Sequence, residues 1–442
     1  MKKLFALLLT LAMVLSLVAC GGSDTTTEDT SEDTTSEETA AGSVYYLNFK
    51  PEADAAWQEL AALYTEQTGV EVKVVTAASG EYNNTLTAEM GKSEAPTLFQ
   101  CGNAQSLLDW GDYCLDLTGT PVLGEMTTAD FNLTQDGATK AIGYCYEAFG
   151  IIVNKALLAE AGYELADITD FASLKAIAED IHARAGELGF DAFASAGLDG
   201  SSSWRFSGHL ANMPLFYEFR DDGVTAQPAT VTGAYLDNYR AIWDLYIDNA
   251  AAAKTSLTTA TGDMSQAEFG NGEAVFWQQG TWEYANLVGE KYGMDPANLA
   301  MIPIYCGVDG EAEAGLCCGT ENCWAVNSQA SEEDIQATLD FMYWVVTSDE
   351  GTQMMAEQFG PIPFKNAKAS ENVFFNDANA YMADGKYIVT WAFNHTPNVD
   401  SWRATVVSAL AAYSADQSDA NWDAVKTAFV DGWAYEYNVQ NG

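Results

Sequence analysis

Between Val44 and Val75 the chain runs strand, helix, strand, and that order restricts the possible folds more than any other feature. Val44-Tyr45-Tyr46-Leu47-Asn48-Phe49 is a run of β-formers, which Lys50-Pro51-Glu52 interrupts. From Ala53 to Gln67, Trp57, Leu60, Ala61 and Tyr64 recur at helical spacing; Gly69 supplies the stop, and Val70 to Val75 is extended again. Two successive strands joined through a helix pair in parallel by a right-handed crossover, which places the chain among α/β folds. A third strand is expected at Ala95 to Gln100, with its loop at Cys101 to Ala104, and another at Phe149 to Val153. Helices are expected at Ser173–Arg184, Tyr235–Asp248, Glu332–Thr347 and Trp422–Trp433, so strands and helices alternate to the end.

The segment ahead of Val44 has a different character. Lys2 and Lys3 precede an apolar run from Leu4 to Ala19, the layout of an export signal. The run is shorter than the ~20 residues a membrane span needs. It ends in Leu17-Val18-Ala19-Cys20-Gly21, which resembles the bacterial lipobox, in which the cysteine is lipidated and becomes the new N-terminus. Residues 21–43 hold seven acids and no base in a Thr/Ser-rich tract, a composition that cannot bury a core and is expected to stay disordered as a linker with an r.m.s. reach of ~25 Å. The remaining ~420 residues exceed what one core serves, so two domains are expected.

Sixty-three acidic against nineteen basic residues give a net charge of −44, a balance that argues against nucleic acid as a partner. It also argues against a site that clamps anionic substrates broadly. Only five arginines stand beside twelve tryptophans and twenty-one tyrosines, which suits a neutral, hydroxyl-rich or apolar-faced ligand. Besides Cys20 there are seven cysteines, an odd number whose pairing the sequence leaves open. With three histidines and no C-x-x-C, neither a metal site nor a cofactor is expected. Enzyme motifs are missing: Ser195 lacks the first glycine of G-x-S-x-G, Gly91-Lys92-Ser93 lacks the earlier P-loop glycine, and no H-E-x-x-H occurs.

Several stretches share an ordered likeness to one family. Tyr64-Thr65-Glu66-Gln67-Thr68-Gly69-Val70-Glu71-Val72, Ala95-Pro96-Thr97-Leu98, Leu115-Asp116-Leu117-Thr118 and Phe149 to Leu157 come first. Phe269 to Phe276, Gly280-Thr281-Trp282, Gly319 to Val326, Thr347 to Gly351 and Phe359 to Pro363 follow. Together they resemble the sugar-type family 1 extracellular solute-binding proteins of ABC importers, the family that includes maltose-binding protein. The likeness covers roughly residues 44–442. It implies a type II periplasmic-binding-protein fold: two α/β lobes, each a sheet flanked by helices, joined by crossing hinge strands near 145–149, 320–325 and 365–369. The implied division is a signal peptide at 1–19, the lipidated cysteine and linker at 20–43, an N-terminal lobe of 44–146 plus 325–366, and a C-terminal lobe of 147–324 plus 367–442. The implied function is a non-enzymatic, lipid-anchored receptor on the outer face of a bacterial, Gram-positive cell membrane. It would bind a mono- or oligosaccharide between the lobes as a monomer and deliver it to ABC permease subunits.

Sugars offer apolar faces and hydroxyl rims, so aromatic plates and planar amides or carboxylates are the side chains to seek, in loops at the carboxyl ends of strands. The loop after the first strand offers Lys50 and Glu52, and that after the third offers Asn103 and Gln105. By resemblance Trp282 stacks on sugar, and Trp277 or Gln278 faces the cleft according to register. Trp204, Trp402 with Arg403 bonding a hydroxyl, and Glu321 at the second crossing complete the expected set. Each has a bland alternative as core, cap or solvated loop residue. The rival readings are a receptor for another solute, such as a polyamine or peptide, and an exported glycoside-acting enzyme.

Overall fold

The computed structural model describes residues 42–442 except 196, 225 and 361. The export signal at 1–19, Cys20 and the acidic linker up to residue 41 lie outside the described residues. Among the described residues no helix is long and apolar enough to cross a membrane.

The strands are, in order, β1 (Val44–Asn48), β2 (Val72–Thr76), β3 (Leu98–Gln100), β4 (Leu133–Gln135), β5 (Ala138–Gly143) and β6 (Glu147–Asn154). They continue as β7 (Asp191–Phe193), β8 (Ala274–Gly280), β9 (Leu299–Ile302), β10 (Ala314–Gly319), β11 (Cys323–Val326) and β12 (Tyr387–Thr390). One sheet has the order β2-β1-β3-β11-β5-β4; the other has β12-β10-β6-β8-β7, with β9 pairing to β6. The opening unit is as expected: β1 pairs in parallel with β2 and β3, and helix α1 (Asp54–Thr68) fills the crossover. Gly69 caps that helix at φ 79°, where a side chain would be strained.

Each sheet has its own core. Trp57 of α1 lies at the centre of the first, touching Tyr46, Tyr144, Trp324 and Phe359. The second core gathers the helices Phe171–Ala183, Leu236–Asp248 and Asp419–Asn441 around β6 and β8. Phe171–Ala183, Leu236–Asp248 and, over the first sheet, Glu332–Thr347 lie within two residues of the expected helices, whereas Asp419–Asn441 is longer at both ends than the expected Trp422–Trp433. The seven cysteines other than Cys20 are all free, and six of them are buried.

Two extended segments pass between the sheets side by side. Tyr144 N donates to Asn322 O at 2.9 Å, and Thr320 Oγ1 donates to Cys145 O at 2.6 Å. These bonds brace the β5–β6 and β10–β11 connections against each other. The third passage follows Phe364, which bridges to Met126; Asn372 Nδ2 then donates to Thr281 O at 2.8 Å. At the chain's entry, Ser43 N donates to Asp334 Oδ1 at 2.7 Å, on the first turn of Glu332–Thr347.

Candidate functional site

A cavity of about 630 Å³ lies between the two sheets, bordered by the loops after β1, β2, β3 and β8 and by the braced crossings. That is the size of a pocket for a small solute. The N-terminal wall begins where β1 ends. Pro51 and Glu52 turn the chain there, and Lys50 Nζ reaches Glu147 Oε1 at 2.6 Å and Glu52 Oε1 at 2.9 Å. Burial alone would lower the Lys50 pKa, yet Glu147 and Glu52 outweigh it and hold the ammonium well above its usual range. The same ammonium sits 5.5 Å from the Trp282 ring centre. After β3, Asn103 caps the helix Ala104–Trp110 by accepting from Ser106 N at 2.9 Å, which leaves its amide to donate to Glu321 Oε1 at 3.1 Å.

The C-terminal wall supplies the aromatic plates. Trp282 leaves the end of β8 with its ring laid over Gly280, and its Nε1 donates to Gln279 Oε1 at 3.1 Å. Trp204 stands 6.1 Å from it, centre to centre, and its Nε1 donates to Ser201 O at 2.9 Å. Behind both lies His209, stacked on Phe149 at 3.9 Å and accepting at Nδ1 from the Gln278 amide at 3.1 Å. Burial, then the charges of Arg403 and Arg205, push that imidazole well below its usual pKa, so it is neutral. Trp204 heads a π-helical turn, Arg205–Leu210, that runs into the helix Ala211–Asp222. Pro214 explains the widened turn: it has no N–H for the Leu210 carbonyl four residues back, and its ring would strike that carbonyl.

Carboxylates line the rest. Glu283 accepts from Gln266 at 2.8 Å, Asn286 at 3.1 Å and Gln279 at 3.1 Å. Burial raises the pKa values of both Glu283 and Glu321. Across the mouth, Ser79 Oγ donates to Ser201 O at 3.2 Å and Asn83 Nδ2 donates to Asp400 Oδ2 at 2.7 Å, so the two walls touch at their rims.

The cavity brings together six of the expected residues: Glu52, Asn103, Trp204, Trp282, Glu321 and Arg403. Four others do not reach it. Trp277 is 1% exposed because it faces away from the cleft, stacked on Phe269 under the second sheet. Gln278 points to the opposite face but is covered by His209, which it supports. Trp402 is 1% exposed, with Nε1 donating to Phe429 O at 2.9 Å, because the helix Val399–Ala415 packs that face on Asp419–Asn441. Gln105, past the cap of the helix Ala104–Trp110, is taken up along the helix itself, its Nε2 donating to Asp109 Oδ1 at 2.7 Å. The sequence reading missed Arg205, His209, Trp391 and Phe393, which also line the cavity. Pro214, a helix-breaker in an apolar stretch, was the available signal for the first two.

The arrangement can hold a flat-faced ligand against indoles and bond its rim through amides, carboxylates and a guanidinium. Solved structures of similar fold are RafE in complex with raffinose, at 13% identity, TM-score 0.68, and 89% and 99% coverage of this chain and that one. RafE from Streptococcus pneumoniae is also similar in its apo form, at 13% identity, TM-score 0.63, and 90% and 99% coverage. The GacH receptor of Streptomyces glaucescens, solved with and without acarbose, matches at 20% identity, TM-score 0.65, and 90% and 99% coverage. No curated protein matches the sequence. The family described as "Bacterial extracellular solute-binding protein" matches residues 59–383, which joins sequence to fold: the chain belongs to the bacterial extracellular solute-binding proteins.

Proposed function

We propose that this solute-binding protein is the receptor of a carbohydrate ABC importer, taking a mono- or oligosaccharide between its lobes and passing it to the permease subunits. The observation that carries the reading is the Trp204–Trp282 pair, half-buried on one wall of a cavity also lined by the planar groups of Asn103, Gln279, Glu283 and Glu321. Indole faces match the C–H faces of a pyranose, and fixed amides and carboxylates match its hydroxyls. Raffinose and acarbose in the titles of similarly folded proteins support the same class.

The site binds without converting its ligand, and stacking across the cleft favours the closed form. The lobe division of 44–146 with 325–366 against 147–324 with 367–442 is supported by the sheets, although β11 already begins at Cys323. The protein acts as a monomer, held by lipid on Cys20 at the outer face of a Gram-positive cell membrane. Isothermal calorimetry of residues 43–442 against a broad glycan panel tests the ligand class. Binding to at least one sugar, lost in Trp282→Ala, is expected; silence across the panel overturns the reading.

A further inference from the structure

Three of the five arginines are ion-paired: Arg184 with Asp180, Arg220 with Asp221, and Arg240 with Asp244 and Asp419. Arg205 and Arg403 form no ion pair among the described residues, and both line the cavity. In a chain with 63 acidic residues, two unpaired arginines on one wall require an explanation. Arg205 is fully buried, and its guanidinium donates only to neutral oxygens: Ser202 Oγ, Ser265 Oγ at 3.0 Å and Gln278 O at 3.3 Å. Burial lowers its pKa to about 10, so it stays charged at neutral pH.

Arg403 is less satisfied still. None of its five N–H groups has a partner among the described residues, and its Nε is buried. The guanidinium lies 5.6 Å from the Phe393 ring centre and against Gly208, where a Cβ would come within 2.9 Å of Nη2. The neighbouring groups do not neutralise it by contact. The cavity's Glu52 and Glu147 already share Lys50, Asp400 accepts from Asn83, and Glu283 is occupied by three amides. Glu321, which faces Arg403 without an ion pair, accepts from Asn103.

We propose that the ligand carries a carboxylate, as a uronic-acid-type sugar does, seated on the guanidinium fork of Arg403 with the Arg205 charge behind it. This rests on the carbohydrate reading above and narrows it. A planar, five-donor fork fits a carboxylate through two parallel bonds, whereas a single hydroxyl leaves most of its donors unmet. The protein's overall negative charge makes such a ligand's approach unfavourable at long range, so added salt speeds association of the acid and leaves that of neutral sugars unchanged.

Calorimetry and stopped-flow fluorescence on residues 43–442 decide the matter. The probes are glucuronic and galacturonic acids and their oligomers, their methyl esters, the matching neutral sugars, and sulfated sugars, each at low and physiological salt. The expected result is that an acid binds at least about tenfold more tightly than its ester, as hydrogen bonds to charged groups allow. Arg403→Gln, with folding verified by its melting curve, is expected to bring acid and ester to equal affinity; the wild-type comparison stands without the variant. Equal wild-type affinity for acid and ester, or preference for neutral sugars, overturns this inference and leaves the carbohydrate reading intact. Preference for sulfated sugars overturns the carboxylate assignment. Silence against every sugar overturns the carbohydrate reading itself.

Discussion

Replacing Gly280 with alanine tests the cleft floor without touching any group that bonds a ligand. The backbone there is extended, at φ −125° and ψ −179°, so alanine meets no conformational penalty. Space is the constraint: an added Cβ falls 2.2 Å from Cη2 and Cζ3 of the Trp282 ring, where ordinary contact begins at 3.4 Å. Gly280 cannot retreat, because β8 is registered against Phe149 of β6. The ring must therefore move by more than about 1 Å, breaking the Trp282 Nε1 bond to Gln279 Oε1. Overpacking of this kind costs about 1–3 kcal/mol of stability. A displaced indole forfeits its stacking and part of its apolar contact, about 1.4–2.7 kcal/mol, or roughly tenfold to a hundredfold in affinity. The assay is calorimetry with whichever sugar binds the parent, beside near-ultraviolet circular dichroism to follow the indole. Full affinity together with an unchanged tryptophan signal would refute the argument.

Further consequences follow from the same geometry. Trp402→Ala should lower the melting temperature strongly, through a loss of about 3–5 kcal/mol, yet leave the tryptophan fluorescence change on ligand addition in place; Trp204→Ala should do the reverse. Lys50→Met leaves Glu52 and Glu147 without their shared cation and should cost about 3–5 kcal/mol in urea unfolding at neutral pH. Because the folded-state pKa of Lys50 is raised, its contribution is complete below the ordinary lysine value and declines as pH rises above it, so the two unfolding curves should converge in alkali. Asp377 accepts from Met301 N at 2.8 Å, but burial raises its pKa to about 6. A carboxyl raised on folding loses stability as pH climbs from the ordinary aspartate range toward 6, so Asp377→Asn should gain on the parent across that interval in a pH series of thermal melts.

The parallel opening of the fold was legible because β-formers, a 3.6-residue apolar period and a glycine stop agree over one short stretch. The site was only half legible, and β8 shows why. Every residue of Ala274–Gly280 is buried, so alternation separates Trp277 from Gln278 without saying which face borders the cleft. Only the partners decide: Phe269 claims Trp277, and His209 covers Gln278. Neighbouring residues in a helix diverge by about 100°, which sends Trp402 into the core and Arg403 into the cavity from one motif. Arg205 and His209 depend on a π turn, for which no side-chain pattern exists beyond the proline that follows it. Asn103 was legible as a loop residue, but its pairing with Glu321 joins positions 218 apart in sequence.

The entry of the chain has a mechanical meaning. Ser43 is bonded to Asp334, and β1 begins at the next residue in the interior of the first sheet. A pull on the preceding segment is therefore received by one lobe alone, through a strand with neighbours on both sides. Such a load enters the molecule through the first sheet, in which β1 lies between β2 and β3. A force applied ahead of residue 43 therefore acts first on the β2-β1-β3 side of that sheet, where Ser43 and Asp334 tie the chain to the Glu332–Thr347 helix.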